Sequence, residues 1–219
     1  MAGFKAHMAF GMVTAAGWSV VVVIFSLLSP AFLPLIFLAT VIGSFLPDLD
    51  SDEGTPLKIL LITLSTIGGL NMGYIVFQNK ERLPLEVILY ASLYAFFIYF
   101  IIGGIFKKIT HHRGMFHSIP AVLLATLIAL SFFNYFILDP ALQIVLSLSI
   151  GIGYLCHLVL DEMNSVVNLR GMPFVPNKAL GTALKLYSNN LRLTLGIYFL
   201  IIVLAYYYYP IIVSFYELL

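Results

Sequence analysis

The sequence is poor in charge and nearly without cysteine, and both shortages narrow the class of protein. Only 10% of its 219 residues are charged, while 61% are hydrophobic. Soluble domains carry about 25% charged and about 45–50% apolar residues, so the composition excludes an ordinary soluble domain and indicates an integral membrane protein. The single cysteine, Cys156, excludes an internal disulfide. A net charge of +1 disfavours nucleic acid as a partner.

The chain also lacks the alternating pattern of a membrane barrel, since its apolar residues form long unbroken runs. We therefore predict an all-α, polytopic helical membrane protein with about seven transmembrane segments. They form a single membrane-embedded domain over residues 1–219, and the second segment is short. The predicted segments cover residues 8–28, 31–46, 57–77, 84–106, 118–138, 140–160 and 192–212.

Positive charge is distributed unequally when these segments alternate across the membrane. One side receives nine Lys and Arg residues, and the other receives only Lys80 and Arg82. The positive-inside rule places the richer side, including the N-terminus, in the cytoplasm of a prokaryotic inner membrane. Lys5 before the first segment imitates a signal peptide, but no convincing cleavage site follows, so we expect this helix to be retained. The nine residues are Lys5, Lys58, Lys107, Lys108, Arg113, Arg170, Lys178, Lys185 and Arg192.

The scarce His residues, and several Asp residues, form short clusters at the ends of apolar segments. Ionisable groups in or beside hydrocarbon are costly, so such clusters predict a functional site. His with Asp is also the ligand set of zinc and related metals. Because the clusters fall on the predicted cytoplasmic side, we expect one convergent metal site near that interface. The candidate ligands are His7, Asp48, Asp50, His112, His117, His157 and Asp161.

Two of these clusters have simple spacings. His157 and Asp161 are four residues apart, so a helix would place both side chains on one face, one turn apart. A capping carboxylate and a buried histidine bonded to a neighbouring helix are the alternative. Asp48 and Asp50 follow Pro47 and can converge on a cation, although an acidic loop also accounts for them.

The stretch 110–118 contains three histidines and an arginine. His112 and His117 would point apart on a helix, but Gly114 between them suggests a bend that brings them together. Arg113 offers a guanidinium fork that suits phosphate or carboxylate. A basic loop that contacts anionic lipid head groups is the alternative.

Together these motifs resemble the YdjM-like membrane-bound metal-dependent hydrolases. The resemblance rests on His7, on Leu-Pro-Asp-Leu-Asp at 46–50, on His-Arg-Gly-Met-Phe-His-Ser at 112–118, and on the stretch 153–161 that ends in His157-Leu-Val-Leu-Asp161. It implies a metal-dependent hydrolase of the inner membrane.

Two positions depart from the pattern of that family. Ser51 stands where the family often has His, and Asn164 and Ser165 stand where it often has Thr after the last Asp. The resemblance leaves the seven ligand candidates in place, with Asn164 and Ser118 as residues that would orient them.

The order of the ligands has a looser similarity to zinc-dependent phospholipases C and P1-type nucleases. An early His, an Asp about 40 residues on, and a late His-x-x-x-Asp occur in both. This similarity implies a phosphoester substrate.

We therefore expect a metal-dependent hydrolase that cleaves a phosphoester of a membrane lipid or lipid-linked substrate. Zinc is the expected cofactor, in one to three ions, with Mn or Mg as alternatives, because seven ligands exceed the three protein ligands of one catalytic zinc. Arg113 would bind the phosphate, and Asp50 is a further catalytic candidate. His111, the histidine least expected to bind metal, would donate a proton to the leaving group or would simply be exposed.

Two other classes of protein remain open. A metal- or proton-coupled transporter would place its polar ligands near the bilayer midplane, often within inverted repeats. A non-catalytic scaffold would hold a structural metal closed by four ligands.

Overall fold

A computed structural model describes residues 4–50, 55–78, 83–105, 116–136, 139–166, 181, 183–187 and 190–217. Within these residues all regular elements are helical, and one isolated bridge joins Ser118 to Lys185. A 3₁₀ turn at Pro30–Phe32 precedes the second helix, another at Leu46–Asp50 follows it, and a π-helical stretch at Phe97–Ile102 continues the fourth. The helices are α1 (Phe4–Ile24), α2 (Leu33–Gly43), α3 (Thr55–Phe77), α4 (Pro84–Phe96), α5 (Ile119–Tyr135), α6 (Pro140–Val166) and α7 (Leu191–Tyr216).

An apolar helix lies at each of the seven predicted segments. Among the described residues, α1, α3, α4 with its continuation, α6 and α7 are long and apolar enough to cross a membrane. The helices α2 and α5 are apolar but shorter. With its preceding turn, α2 covers residues 30–43, about 21 Å at about 1.5 Å per residue, which is less than a hydrocarbon core of about 30 Å. The helical membrane class is confirmed; the count of seven crossings and the cytoplasmic N-terminus stay predictions.

The helices begin where the sequence supplies caps and prolines. Ser118 accepts a hydrogen bond from Ala121 N at the start of α5, and Asp139 accepts two at the start of α6. Pro120 and Pro140 stand in the first turns of the same helices. A missing N–H costs least at such positions, so these residues fix where each helix starts.

The chain divides into two compact units, Met1–Pro47 with Met115–Leu219, and Asp48–Gly114. The first unit contains α1, α2, α5, α6 and α7. The second contains α3 and α4, which pack on each other where Gly69 allows close approach to the backbone of Ala91. The single membrane domain over 1–219 stays a prediction.

Helix α6 is the centre of the first unit and contacts α1, α2, α5 and α7. Its approach to α2 depends on two glycines. A Cβ on Gly153 would overlap the carbonyl oxygen of Thr40, and a Cβ on Gly43 would overlap that of Ile150. Small residues of this kind let helix backbones touch in membranes, and here they bring the end of α2 against the second half of α6.

Candidate metal centre

Four of the predicted ligands lie together in the first unit. His7 lies in the first turns of α1, His117 directly precedes the cap of α5, and His157 and Asp161 lie near the end of α6. All four side chains are buried, the most exposed being Asp161 at 7%. One end of each of three helices therefore contributes to a single polar cluster.

The carboxylate of Asp161 lies at the centre of this cluster. Its Oδ1 is 3.3 Å from His7 Nε2, and its Oδ2 is 3.6 Å from both His117 Nε2 and His157 Nε2. The rings of His7 and His157 stack at 3.7 Å, 10° from parallel, and the His117 ring meets His157 edge-on at 5.7 Å. Three imidazoles thus direct the same nitrogen toward one carboxylate.

The orientation of His157 is set from α2. Its Nδ1 is 2.8 Å from the carbonyl oxygen of Ser44, which can only accept, so Nδ1 carries the hydrogen. With the hydrogen on Nδ1, Nε2 is the ring nitrogen that can ligate a metal, as in histidine ligands whose tautomer a carbonyl fixes. The Ser44 main chain is held closely, because a Cβ on Gly153 would lie 2.9 Å from Ser44 N.

The spacing of these groups fits a bound cation. Distances of 3.3–3.6 Å are longer than an ordinary N–H···O bond. Two atoms that ligate one tetrahedral zinc at about 2.0–2.2 Å lie about 3.3–3.6 Å from each other. The ligand atoms of His117, His157 and Asp161 all lie within 4.8 Å of one another.

The burial of polar atoms in this cluster also favours a bound cation. Asp161 Oδ1 and His7 Nδ1 are buried and make no hydrogen bond to any residue in the described ranges. A buried carboxylate is costly unless it is paired. The His and Asp residues of this cluster could therefore hold a divalent metal ion.

The position of His117 is fixed from both sides. Tyr154 on α6 donates to the carbonyl oxygen of Phe116 at 2.7 Å. After His117, Ser118 caps α5 and Ile119 N donates to Lys185 O at 3.0 Å. A short non-helical segment thus carries a ligand candidate at a fixed place beside α6.

The other predicted ligand and catalytic residues lie between positions 48 and 113 of the chain. Asp48 is half-buried and lies in the 3₁₀ turn that Asp50 ends. The side chain of Asp50 lies outside the described residues, as do His111, His112 and Arg113. Their expected roles stay predictions.

The two residues expected to orient the ligands make local helical bonds. Ser118 caps α5, and Asn164 Nδ2 donates to Leu160 O at 2.8 Å. Any further role of these side chains toward a metal stays a prediction.

Sequence reasoning missed three contributors to the cluster. Ser44 acts through its main chain, which carries no side-chain signal, although the glycines around it indicate close packing. Tyr154 gives no signal beyond its place in a motif. Glu162 adjoins Asp161 and resembles an ordinary charge at a helix end, yet its carboxylate accepts from Gly181 N and Ala183 N.

Fold and cluster together define a helical integral membrane protein with a buried His and Asp group that could hold a metal ion. The family model of the YdjM inner membrane protein matches residues 1–218, and the chain belongs to that family. The resemblance drawn from the motifs is thereby confirmed. Neither a curated protein nor a solved structure matches the chain.

Proposed function

We propose that the protein is a metal-dependent hydrolase that cleaves a phosphoester of a lipid or lipid-linked substrate at the cytoplasmic face of the membrane. The observation that carries the proposal is the buried convergence of three imidazoles on Asp161. Burying ionisable side chains in so apolar a protein costs free energy, and such residues within membrane proteins usually mark a functional site.

The position of the cluster supports a site at the membrane interface. His7 lies in the first turns of α1, His117 precedes α5, and Asp161 is five residues before the end of α6. Transporter ligands instead gather near the bilayer midplane. A site at helix ends can receive a head group while the lipid tails stay in the bilayer.

The basic residues of the first unit support a cytoplasmic orientation. Lys5 precedes His7 by two residues, Lys185 pairs with Ser118, and Arg192 stands at the start of α7. These three belong to the side that the positive-inside rule assigns to the cytoplasm. Positive charge there also attracts an anionic substrate.

The residues of the cluster divide the chemistry among them. His7, His117, His157 and Asp161 would hold the ion, with zinc as the first expectation. A divalent ion bound there would supply Lewis acidity toward a phosphoryl oxygen and make water more acidic. Asp161 presents one oxygen to His7 and the other to His117 and His157, so the donor set can serve more than one ion.

Residues of the chain would do the remaining work. The carboxylate of Asp161 offsets positive charge, and the Ser44 carbonyl fixes the donor nitrogen of His157. Arg113, four residues before His117 in the sequence, is proposed to bind the phosphate through its guanidinium fork. His111 is proposed to donate a proton to the leaving group, and Asp50 to assist as ligand or acid–base group.

One observation favours ion transport as a second candidate function. Helix α6 carries further buried polar side chains, Gln143, Ser147 and Ser149, so polar groups extend about 27 Å along it from Asp161. However, Ser147 donates to Gln143 O and Ser149 to Val145 O. Both hydroxyls donate within their own helix, which disfavours an ion path along α6.

The test is turnover by the purified full-length protein. The protein in lipid nanodiscs, loaded with zinc or manganese, is incubated with a panel of phospholipids and isoprenoid phosphates, and the products are identified by mass spectrometry. We expect metal-dependent release of a phosphate-containing product that is lost in Asp161→Asn. Asp139→Asn is the matched control, because Asp139 only caps the other end of α6 and Asn also caps well.

Each other outcome contradicts the proposal in its own way. Turnover that survives Asp161→Asn would place the chemistry elsewhere. Stoichiometric metal without turnover on any substrate would indicate a structural metal in a scaffold. Metal flux into proteoliposomes without hydrolysis would indicate a transporter.

A further inference from the structure

The side chain next to the central carboxylate binds a distant segment of the chain. Glu162 Oε1 accepts from Gly181 N at 2.6 Å, and Glu162 Oε2 accepts from Ala183 N at 3.3 Å. Gly181 has a φ of +76°, which an L side chain rarely adopts. One carboxylate therefore fastens two backbone amides to the end of α6.

The same segment continues to the neighbourhood of His117. Two residues after Ala183, the main chain of Lys185 pairs with Ser118 and accepts from Ile119 N at 3.0 Å. Ser118 and Ile119 directly follow His117. The side chain of Glu162 is thus connected, through residues 183–185 and their hydrogen bonds, to the segment that carries a ligand candidate.

Other contacts close this path into a ring. Tyr154 on α6 donates to Phe116 O, and His117 itself lies 3.6 Å from Asp161. On the other side, Tyr198 on α7 donates to Leu186 O at 3.0 Å. The residue before His117 is held by Tyr154, and the two residues after it are held through Lys185.

We propose that Glu162 is a positioning residue that holds His117 in place for metal binding, by fastening Gly181 and residues 183–187 against the start of α5. This inference rests on the metal centre proposed above. Glu162 would not touch the ion; it would act through the segment, as partners that orient metal ligands do in other sites.

The chemistry requires a carboxylate at this position. Two N–H donors bind two different oxygens, and both oxygens of a carboxylate accept. Glutamine offers one accepting oxygen and one donating NH₂ group, which would face an amide N–H. Glu162→Gln therefore keeps the shape of the side chain but breaks one contact and weakens the other.

The experiment measures metal binding and backbone protection in the same preparations of full-length protein. Cobalt affinity and the visible cobalt spectrum report on the ligands, and hydrogen exchange reports on peptides that cover 116–120 and 181–187. For Glu162→Gln we expect about tenfold weaker cobalt binding, an altered spectrum and faster exchange in both peptides. Glu217→Gln, which removes the same charge at the end of α7, should match the wild type.

A second variant tests the same path without touching Glu162. Gly181→Ala adds a Cβ into open space but strains the backbone at its positive φ, so we expect a smaller loss in the same direction. If Glu162→Gln folds poorly, Gly181→Ala still tests whether the segment positions His117.

The outcomes separate this inference from the proposed function. Faster exchange with unchanged cobalt affinity and spectrum would overturn the inference, as would unchanged exchange. If the wild type binds no metal, the metal centre fails. The claim that Glu162 holds the segment before α5 in place would then stand only if Glu162→Gln still speeds hydrogen exchange at 116–120.

Discussion

Helices α6 and α4 are both long and apolar enough to cross a membrane, yet they are used in opposite ways. Within an apolar stretch of 18 residues in each helix, 72% of the residues of α6 are buried and none of those of α4 with its continuation. Buried polar residues such as Gln143, His157 and Asp161 lie on α6, whereas α4 exposes large side chains such as Leu85 and Ile88. Hydropathy alone therefore predicts a membrane span for both helices. The polar and small residues of α6 distinguish it as the helix that is buried inside the protein.

The comparison follows from the cost of polar groups in lipid. Ionisable side chains within membrane segments face the protein interior, where partners can be supplied. In α6 those partners come from α1, α2 and the segment before α5. The second unit, by contrast, contains two helices whose exposed surface is mainly hydrocarbon.

The largest expected effect is at the buried carboxylate. Asp161→Asn removes the group that three imidazoles face, so zinc affinity should fall by more than the about 10–100-fold that loss of an orienting partner costs. The measurement is zinc stoichiometry and affinity by competition with a chelator.

The same variant should change the metal-free fold little, because Asn keeps the shape of the side chain and one accepting oxygen. Thermal unfolding without metal should therefore occur near the wild-type temperature. A metal-free protein that is much less stable, with zinc affinity unchanged, would show that Asp161 is a structural residue. Asp139→Asn should leave both measurements unchanged.

Replacing glycine by alanine should have a smaller effect, on the free energy of unfolding, and the effect should differ between the two helices. Gly153→Ala on α6 forces a methyl group into the Thr40 carbonyl and should destabilise the protein by about 1–3 kcal/mol. Gly104 lies two residues beyond the continuation of α4, and a methyl group there would meet nothing within 4 Å. Gly104→Ala should therefore be neutral or stabilising by up to about 1 kcal/mol. Unfolding in mixed detergent and SDS micelles gives both values. Equal effects would remove the contrast between an enclosed helix and an exposed one.

The smallest effect concerns one hydrogen bond. Trp18 Nε1 donates to Ser149 Oγ at 2.9 Å between α1 and α6, and such bonds contribute about 0.6 kcal/mol in membrane proteins. Ser149→Ala should cost about that much in the same unfolding assay. Ser92→Ala on the exposed α4 should cost nothing measurable, and a loss equal to that of Ser149→Ala would contradict the comparison.

Much of the fold follows from the sequence because apolar length and helix caps are local properties. All seven apolar helices lie at the predicted segments, and their ends differ from the predicted ends by up to six residues when the continuation of α4 is included. The division into two units was not predicted, since α4 and α6 have similar apolar character. Which helix is enclosed depends on contacts such as that of Gly153 with Thr40, and these involve residues far apart in the chain.

The candidate site was predictable in its residue types more than in its geometry. The four-residue spacing of His157 and Asp161 predicted a shared helix face, and the structure places their side chains 3.6 Å apart. No local signal pairs His7 with either of them. The contribution of Ser44 is a main-chain carbonyl, so only the three-dimensional packing of α2 on α6 could show it.

The stacked rings of His7 and His157 have a consequence for how the protein is made. His7 is synthesised well before its partners on α6, because His157 follows it by 150 residues in the chain. A truncated chain that ends before α6 therefore has no complete cluster. Because a ligand that binds only the folded state stabilises it, a metal ion would favour chains whose helices have all been inserted. The supply of metal in the cell would then help set how much finished protein the membrane contains.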